Sequence, residues 1–237
     1  MNIIVTGASK GIGYETVKQF AKEEGNHILA ISRNETQLRE LSDECKKFGQ
    51  KSKVRILSFD LEKIDANQKV LMTAVENVFD TVDILINNAG FLVNKPFTEV
   101  SFSEAKKMLN VNYLSAAFLV RALMPQLEKS TYAHIVNISS MGGFQGSVKF
   151  PGLAHYSASK AALAVLTECL STEFGEMNIS VNCLAIGAVQ TEMLSEAFPD
   201  YRAPLNPSEI AKYICHFATT AHHYMNGKIV PVALSNP

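Results

Sequence analysis

The run Thr6-Gly7-Ala8-Ser9-Lys10-Gly11-Ile12-Gly13 follows directly on Asn2-Ile3-Ile4-Val5, near the start of the chain. The apolar, β-branched segment reads as a buried strand. Tyr14 to Glu24, with Val17, Phe20 and Ala21 at helical spacing, reads as a covering helix. A strand that turns through three glycines into a helix N-terminus brings backbone N–H groups and the positive end of the helix dipole to one place, which suits a phosphate. The dipole contributes only ~1 kcal/mol, so it orients a pyrophosphate without holding a dinucleotide alone. Lys10 precedes Gly11 and no Gly-Lys-Ser/Thr follows, which excludes a Walker-type loop. The spacing also departs from G-x-G-x-x-G, and glycine turns after strands serve elsewhere as plain loops.

Strands and helices alternate along the rest of the chain. A second strand, His27-Ile28-Leu29-Ala30-Ile31, ends in Ser32-Arg33-Asn34. An acid at this place in dinucleotide folds grips the ribose 2′-OH of NAD, whereas an arginine suits the 2′-phosphate of NADP. Ser32 and Arg33 therefore favour NADP(H) over NAD(H), unless Arg33 and Lys10 are ordinary surface charges. Asn34 is expected to cap the next helix, with Glu35 in its first turn. A third strand over 53–59 precedes Asp60-Leu61, where Asp60 is placed to cap a helix reaching about Phe79. A fourth strand over 83–86 ends in Asn87-Asn88-Ala89-Gly90. Ser101 and Glu104 form a capping box opening a long helix to about Glu128, with Asn112, a poor helix former, in its middle. A fifth strand over 132–140 ends in Ser139-Ser140; strand neighbours point to opposite faces, so only one of the two serines faces any ligand. A helix over 157–174, a strand over 179–185, a helix over 207–218 and a strand over 227–230 complete the order. Such alternation imposes an α/β, doubly wound, mostly parallel sheet with helices on both faces. One domain over 1–237 accommodates it.

Tyr156 and Lys160 stand four residues apart and so share one helix face. A neighbouring ammonium favours the phenolate and draws a tyrosine pKa down from about 10. A phenol so tuned gives a proton to a carbonyl oxygen, or takes one from an alcohol, while hydride moves at carbon. The same spacing occurs at Tyr14 and Lys18, on the first helix, with no serine pair on a preceding strand. Position, not spacing, separates the two pairs.

Thr6 to Gly13 (TGxxxGxG), Asn87 to Gly90 (NNAG), Asn137 to Ser140 (NISS) and Tyr156 to Lys160 (YxASK) together resemble the short-chain dehydrogenase/reductase family, over nearly the whole chain. The resemblance implies a seven-stranded Rossmann sheet in the order 3-2-1-4-5-6-7, with the glycine loop and NNAG meeting at the switch point where such sheets bind ligands. It implies catalytic roles for Asn112, Ser140, Tyr156 and Lys160. Asn112 would distort its helix and hold a proton-relay water, Ser140 rather than Ser139 would hold the substrate oxygen, and Lys160 would also bond the nicotinamide ribose. Cofactor contacts are implied at Gly7, Ser9, Lys10, Gly11, Ile12 and Gly13, with Lys10 a second cation for the 2′-phosphate. Further contacts are implied at Ser32, Arg33, Asp60 and Leu61; at Asn88, Ala89 and Gly90; and at Gly187 and Thr191. Ile186 stands where the family pattern has proline, which leaves this turn less rigid. The loop between Ser140 and Tyr156, longer than is usual in the family, carries Met141, Phe144, Phe150 and Leu153 among glycines and suggests a substrate wall. Residues 191–205 suggest a short lid. The helix over 157–174 barely has a polar stripe; with the 102–128 helix it is expected to join subunits into a homodimer or homotetramer.

A net charge of −1 and no dense basic run exclude a nucleic-acid footprint. No apolar run approaches the length of a membrane span, and with a strand read from residue 2 no signal peptide is expected. Cys45, Cys169, Cys183 and Cys215 lack CxxC pairing and read as reduced core thiols of a cytoplasmic protein. His222 and His223 are adjacent, which seldom lets two rings converge on one ion, so solvated loop histidines and no metal are expected. The expected activity is an NADP(H)-dependent carbonyl reductase or alcohol dehydrogenase. A 3-oxoacyl-acyl-carrier-protein reductase is the alternative enzyme, for which a basic docking patch near the lid would speak. A regulatory NADP(H)-binding protein is the alternative of another class; such proteins usually lose the tyrosine or lysine kept here.

Overall fold

In the computed structural model, which describes residues 1–49 and 52–234, strand polarity follows from alternating side chains. Ile3 and Val5, Ile28 and Ala30, Ile84 and Ile86, and Val136 and Ile138 bury into one core. Ile4, Leu29, Ile31, Leu85 and Ile135 bury into a second core on the opposite face. Both faces of each strand are apolar, so the sheet must be covered twice. Helices α1 (Gly11–Ala21), α2 (Glu35–Lys46) and α8 (Pro207–Thr220) cover the first face with Val17, Phe20, Leu38, Leu41, Ile214 and Phe217. Helices α3 (Ile64–Glu76) and α5 (Ser115–Leu127) cover the second with Leu71, Val75, Leu119 and Leu123.

The strands are β1 (Asn2–Thr6), β2 (His27–Ser32), β3 (Lys53–Ser58), β4 (Ile84–Asn87), β5 (Ala133–Ser140), β6 (Ile179–Ile186) and β7 (Ile229–Val232). They form one seven-stranded sheet in the order β3-β2-β1-β4-β5-β6-β7, as expected. Every strand pair is parallel, so the sheet is wholly rather than mostly parallel. The chain reverses direction across the sheet between β1 and β4, which sets their carboxyl ends side by side and opens a crevice there.

Helix ends depart from expectation for local reasons. Helix α1 begins at Gly11 rather than Tyr14, so two loop glycines belong to its first turn. The Ser101–Glu104 capping box is present, but the long helix divides into α4 (Phe102–Leu109), a π turn over Asn110–Leu114 and α5. Asn112 lies in the π turn, as expected of a residue distorting its helix. Asn34 caps α2 as expected, accepting from the Gln37 N–H, whereas Asp60 accepts from the Glu62 N–H and caps a one-turn 3-10 helix over Leu61–Lys63 that precedes α3. The remaining helices are α6 (Ala154–Glu173), which starts ahead of Tyr156, and the short α7 (Glu192–Ala197).

A candidate active site at the sheet switch point

The glycine loop and the Asn87–Gly90 turn are fastened together by Thr6, whose role the motif did not reveal. Its buried hydroxyl accepts from the N–H groups of Asn88 and Ala89, both at 3.0 Å, and donates to the Ile86 carbonyl at 3.3 Å. The Asn88 amide returns across the crevice to the carbonyls of Thr6 at 2.9 Å and Gly7 at 3.3 Å. Glycine is required where the loops press closest. Gly7 has φ +66°, and a Cβ there would stand 2.8 Å from the Ala89 Cα. At Gly13 a Cβ would stand 2.5 Å from both the Gly7 carbonyl oxygen and the Asn88 amide nitrogen. Deeper in the sheet Asn87 donates to Asn137, and Asn137 donates to Thr167 on α6, both at 2.9 Å. These buried amides tie β4, β5 and α6 into one frame, with the Asn87 carboxamide oxygen left buried without a partner.

A cleft of about 610 Å³ runs along this switch point. At one end lie Ser32, Arg33, Asp60 and Leu61, with Ser9, Lys10, Gly11 and Ile12 beside them. Asn88, Ala89 and Gly90 line its middle, Ser140, Tyr156, Lys160 and Gly187 its other end, and Thr191 the wall that faces the glycine loop. Gly13 and Asn112 lie behind the wall: Gly13 packs between the loops, and Asn112 is buried.

The Asn112 carboxamide accepts from the Phe91 N–H at 2.7 Å and donates to the Phe91 carbonyl at 2.9 Å and the Ser159 hydroxyl at 2.8 Å. It therefore fixes the loop after Gly90 against α6. Ser139 and Ser140 separate as strand geometry requires: the Ser139 hydroxyl is buried and donates to the Lys160 carbonyl at 2.8 Å. Ser140 lines the cleft with Tyr156, and its hydroxyl accepts from the Gly142 N–H at 3.1 Å.

The electrostatics of the pair differ from the expectation drawn from spacing. Burial pushes the Tyr156 phenol up, and the neighbouring Ser140 hydroxyl pulls it partly back. The Lys160 ammonium donates to the Ile138 carbonyl at 2.8 Å, and burial holds its pKa down to about 8. With the ammonium turned onto a strand carbonyl, desolvation outweighs its pull on the phenol.

Arg33 is exposed at its end of the cleft and makes no ion pair among the described residues. Lys10, beside it, lies 3.7 Å from Glu196 on α7. Both partners are largely exposed, and an exposed pair of this kind is weak enough to exchange for a stronger anion. Thr191 caps α7, accepting from the Leu194 N–H at 3.2 Å. Thr191 and Glu192 stand against the glycine loop, since a Cβ at Gly11 would meet Thr191 Cγ2 at 3.3 Å and Glu192 Oε2 at 3.6 Å.

The dinucleotide expected from the sequence fits these residues. The cleft has the volume of a cofactor site. Toward one end it carries the N-terminus of α1 and a guanidinium without an ion pair among the described residues, and at the other a phenol beside a lysine. Among the described residues no group of three His, Cys, Asp or Glu side chains could hold a metal ion. His222 corrects the expectation of a solvated ring: both its nitrogens are buried without a hydrogen-bond partner, and the ring stacks on Tyr132 with centroids 4.7 Å apart.

The chain belongs to the short-chain dehydrogenase family, whose family model matches residues 1–202. It is an oxidoreductase of that family. It is 31% identical over 245 aligned positions to the 3-oxoacyl-(acyl-carrier-protein) reductase FabG of Chlamydia trachomatis serovar D, covering 97% of this chain and 94% of that one. An uncharacterized oxidoreductase of Staphylococcus aureus strain MW2 is 27% identical, with 93% and 91% covered. The crystal structure of L-sorbose reductase from Gluconobacter frateurii, complexed with NADPH and L-sorbose, superposes with a TM-score of 0.86 at 26% identity, covering 99% of this chain and 95% of that one.

Proposed function

We propose that this protein is an NADP(H)-dependent carbonyl reductase, interconverting a carbonyl compound and its secondary alcohol. One observation carries the reading: Ser140, Tyr156 and Lys160 meet at the end of a cleft whose other end bears Arg33 and Lys10. When bound, the nicotinamide supplies the hydride, and with it two electrons, to the carbonyl carbon. The Ser140 hydroxyl holds the carbonyl oxygen. Tyr156 gives that oxygen its phenolic proton as the C=O π bond opens, leaving CH–OH. A phenol pushed up by burial enters the step protonated at neutral pH, which suits the reducing direction. Lys160, held near pKa 8, is poised to return a proton to the phenolate. Asn112 acts through the Phe91 loop and Ser159, keeping α6 and the cleft wall in register.

Arg33 and Lys10 are proposed to pair the 2′-phosphate, in line with the NADPH carried by the L-sorbose reductase structure. The site functions within a single domain spanning 1–237. The four free cysteines, of which Cys169 is exposed on α6 rather than in the core as expected, suit a reducing, cytoplasmic setting. Among the described residues no helix is long and apolar enough to cross a membrane. Helices α4, α5 and α6 are proposed to join subunits into a homodimer or homotetramer, supported by the exposure of Phe102 on α4 and Val165 on α6. Size-exclusion chromatography with light scattering tests that assembly. A second reading, reduction of a 3-oxoacyl group on a carrier protein, is favoured by the 31% identity to the chlamydial enzyme. Nicotinamide absorbance, followed with NADPH and with NADH across a panel of free carbonyls and a carrier-bound 3-oxoacyl thioester, tests both readings. The expected result is consumption of NADPH in preference to NADH by about 10–100-fold, the worth of one charge-assisted pair. Preference for NADH, or no consumption with any carbonyl, would overturn the proposal.

A further inference from the structure

The substrate end of the cleft differs in chemistry from the cofactor end. With Ser140 and Tyr156, the apolar wall is made of Leu92, Met141, Leu153, Met193 and Phe198. The polar side chains nearest this wall are committed elsewhere. Asn94 donates to the Ala197 carbonyl at 2.8 Å. Gln190 donates to Ser195 at 2.9 Å and accepts from the Ala203 N–H at 2.8 Å. Ser139 is spent on the Lys160 carbonyl, and Thr191 on the cap of α7. His155, next to the phenol in sequence, stacks on Phe97 with centroids 5.2 Å apart and does not line the cleft. Lys95 pairs with Glu104, outside the cleft. The charged lining groups other than Lys160 belong to the cofactor end: Lys10 and Arg33, Asp60 and Glu62, and Glu192 against Gly11. Tyr201 adds one hydroxyl, on a side chain 45% exposed.

The same contacts latch the walls to one another. Asn94 joins the loop after Gly90 to α7, and the Lys95 N–H donates to the Gly152 carbonyl at 3.2 Å, joining that loop to the segment before Tyr156. Three walls from separate parts of the chain thus close one apolar chamber around two hydroxyls.

Resting on the carbonyl-reductase reading, we infer that the substrate is an uncharged, predominantly apolar ketone or aldehyde, and not a polyhydroxylated sugar or an oxo acid. The chamber pairs one oxygen, the reacting one, through Ser140 and Tyr156. Beyond the Tyr201 hydroxyl at the open rim, every further hydroxyl or carboxylate on a substrate gives up water there without a side chain to replace it. Reduction balances with NADPH as the hydride donor: ketone, NADPH and one proton give the secondary alcohol and NADP⁺. A chamber of this kind disfavours an added, unpaired hydroxyl by about 100-fold.

The test compares kcat/KM, with NADPH, for straight-chain 2-alkanones and acetophenone against L-sorbose, dihydroxyacetone and 2-oxobutyrate. In parallel, the rise in melting temperature produced by 2-octanol is compared with that produced by sorbitol. Apolar ketones are expected to exceed the hydroxylated and charged compounds by at least about 100-fold, and only the alkanol to raise the melting temperature. Met193→Gln, which places an amide on a partly exposed lid position, is expected to narrow the preference about tenfold, whereas an unchanged ratio counts against the wall assigned here. Turnover of sorbose or the oxo acid at a rate comparable with the alkanones would overturn the inference while leaving the hydride-transfer reading intact. No turnover of any carbonyl would overturn that reading, and the inference about a substrate with it. Equal melting shifts from both alcohols would overturn the chamber's selectivity by itself.

Discussion

Thr6 offers the sharpest test of how the site is assembled, because one methyl-for-hydroxyl exchange removes the fastening between its two loops. In Thr6→Val the side chain keeps its volume and β-branching, so packing in the core is nearly preserved. What is lost can be counted. The Asn88 N–H retains a bond to the Ile86 carbonyl at 3.1 Å, so its loss is that of one ordinary bond. The Ala89 N–H has Thr6 as its partner, and without the hydroxyl it becomes a donor with none. An orphaned buried donor costs about 1–3 kcal/mol and an ordinary bond about 0.5–1.5 kcal/mol. Because Asn88 and Ala89 are only part-buried, the lower half of each range applies, and the sum is about 1.5–3 kcal/mol. That is a large share of the roughly 5–15 kcal/mol that holds a domain folded. Urea denaturation followed by far-UV circular dichroism should show a lower midpoint with an unchanged slope. NADPH affinity should fall in the same variant, since the glycine loop loses its anchor. Thr6→Ser, which keeps the hydroxyl, should lie within about 1 kcal/mol of the parent. Thr6→Val with a midpoint and an NADPH affinity matching the parent would refute the reasoning.

Other outcomes follow from charge and burial. Arg33→Ala should raise the Kd for NADPH by about 10–100-fold and leave that for NADH nearly unchanged, measured by nicotinamide fluorescence; an equal effect on both would remove Arg33 from the 2′-phosphate. Burial holds His134 neutral, its pKa lowered to about 4, with Nδ1 bonded to the Ala218 carbonyl at 2.9 Å and Nε2 bonded by Asn182 at 3.0 Å. A depressed histidine pKa means the unfolded chain binds the proton first. Its contribution is therefore present above the unfolded value of 6.5 and is lost as pH falls toward 4, by an amount on the order of 3 kcal/mol. A His134→Gln variant should lack that part of the pH dependence in urea titrations, and parallel curves for the two proteins would contradict it. Gly13→Ala should impair NADPH binding and destabilise by about 1–3 kcal/mol, because its Cβ has no room between the Gly7 carbonyl and Asn88; unaltered melting and affinity would count against that contact.

The parts legible in the sequence were those governed by short-range rules. Apolar runs such as Ile84-Leu85-Ile86 admit little but a twice-covered parallel strand, and the capping box at Ser101 and Glu104 announces its own helix. Strand alternation was enough to separate Ser139 from Ser140, although the resemblance was needed to say which faces the cleft. What escaped depends on partners far along the chain. Thr6 reaches Asn88 and Ala89, 82 and 83 positions away, and nothing near Thr6 marks it as a fastener. Spacing places Lys160 on the helix face of Tyr156 but does not show that its ammonium turns to Ile138, 22 positions away. The stacking of His222 on Tyr132 is hidden in the same way. The polar frame of Asn87, Asn137 and Thr167 was also missed; its signal was present as asparagines inside otherwise apolar strands, where a buried amide demands a partner.

The most direct measurement is single-turnover reduction of an apolar ketone by Tyr156→Phe loaded with NADPH, with NADPH affinity titrated alongside. Loss of the phenolic proton donor is expected to slow the step by about 10²–10⁴-fold while the NADPH Kd stays within about twofold of the parent. Turnover at the parent rate would contradict the role given to Tyr156, and with it the proposal that this cleft is built for proton-coupled hydride transfer.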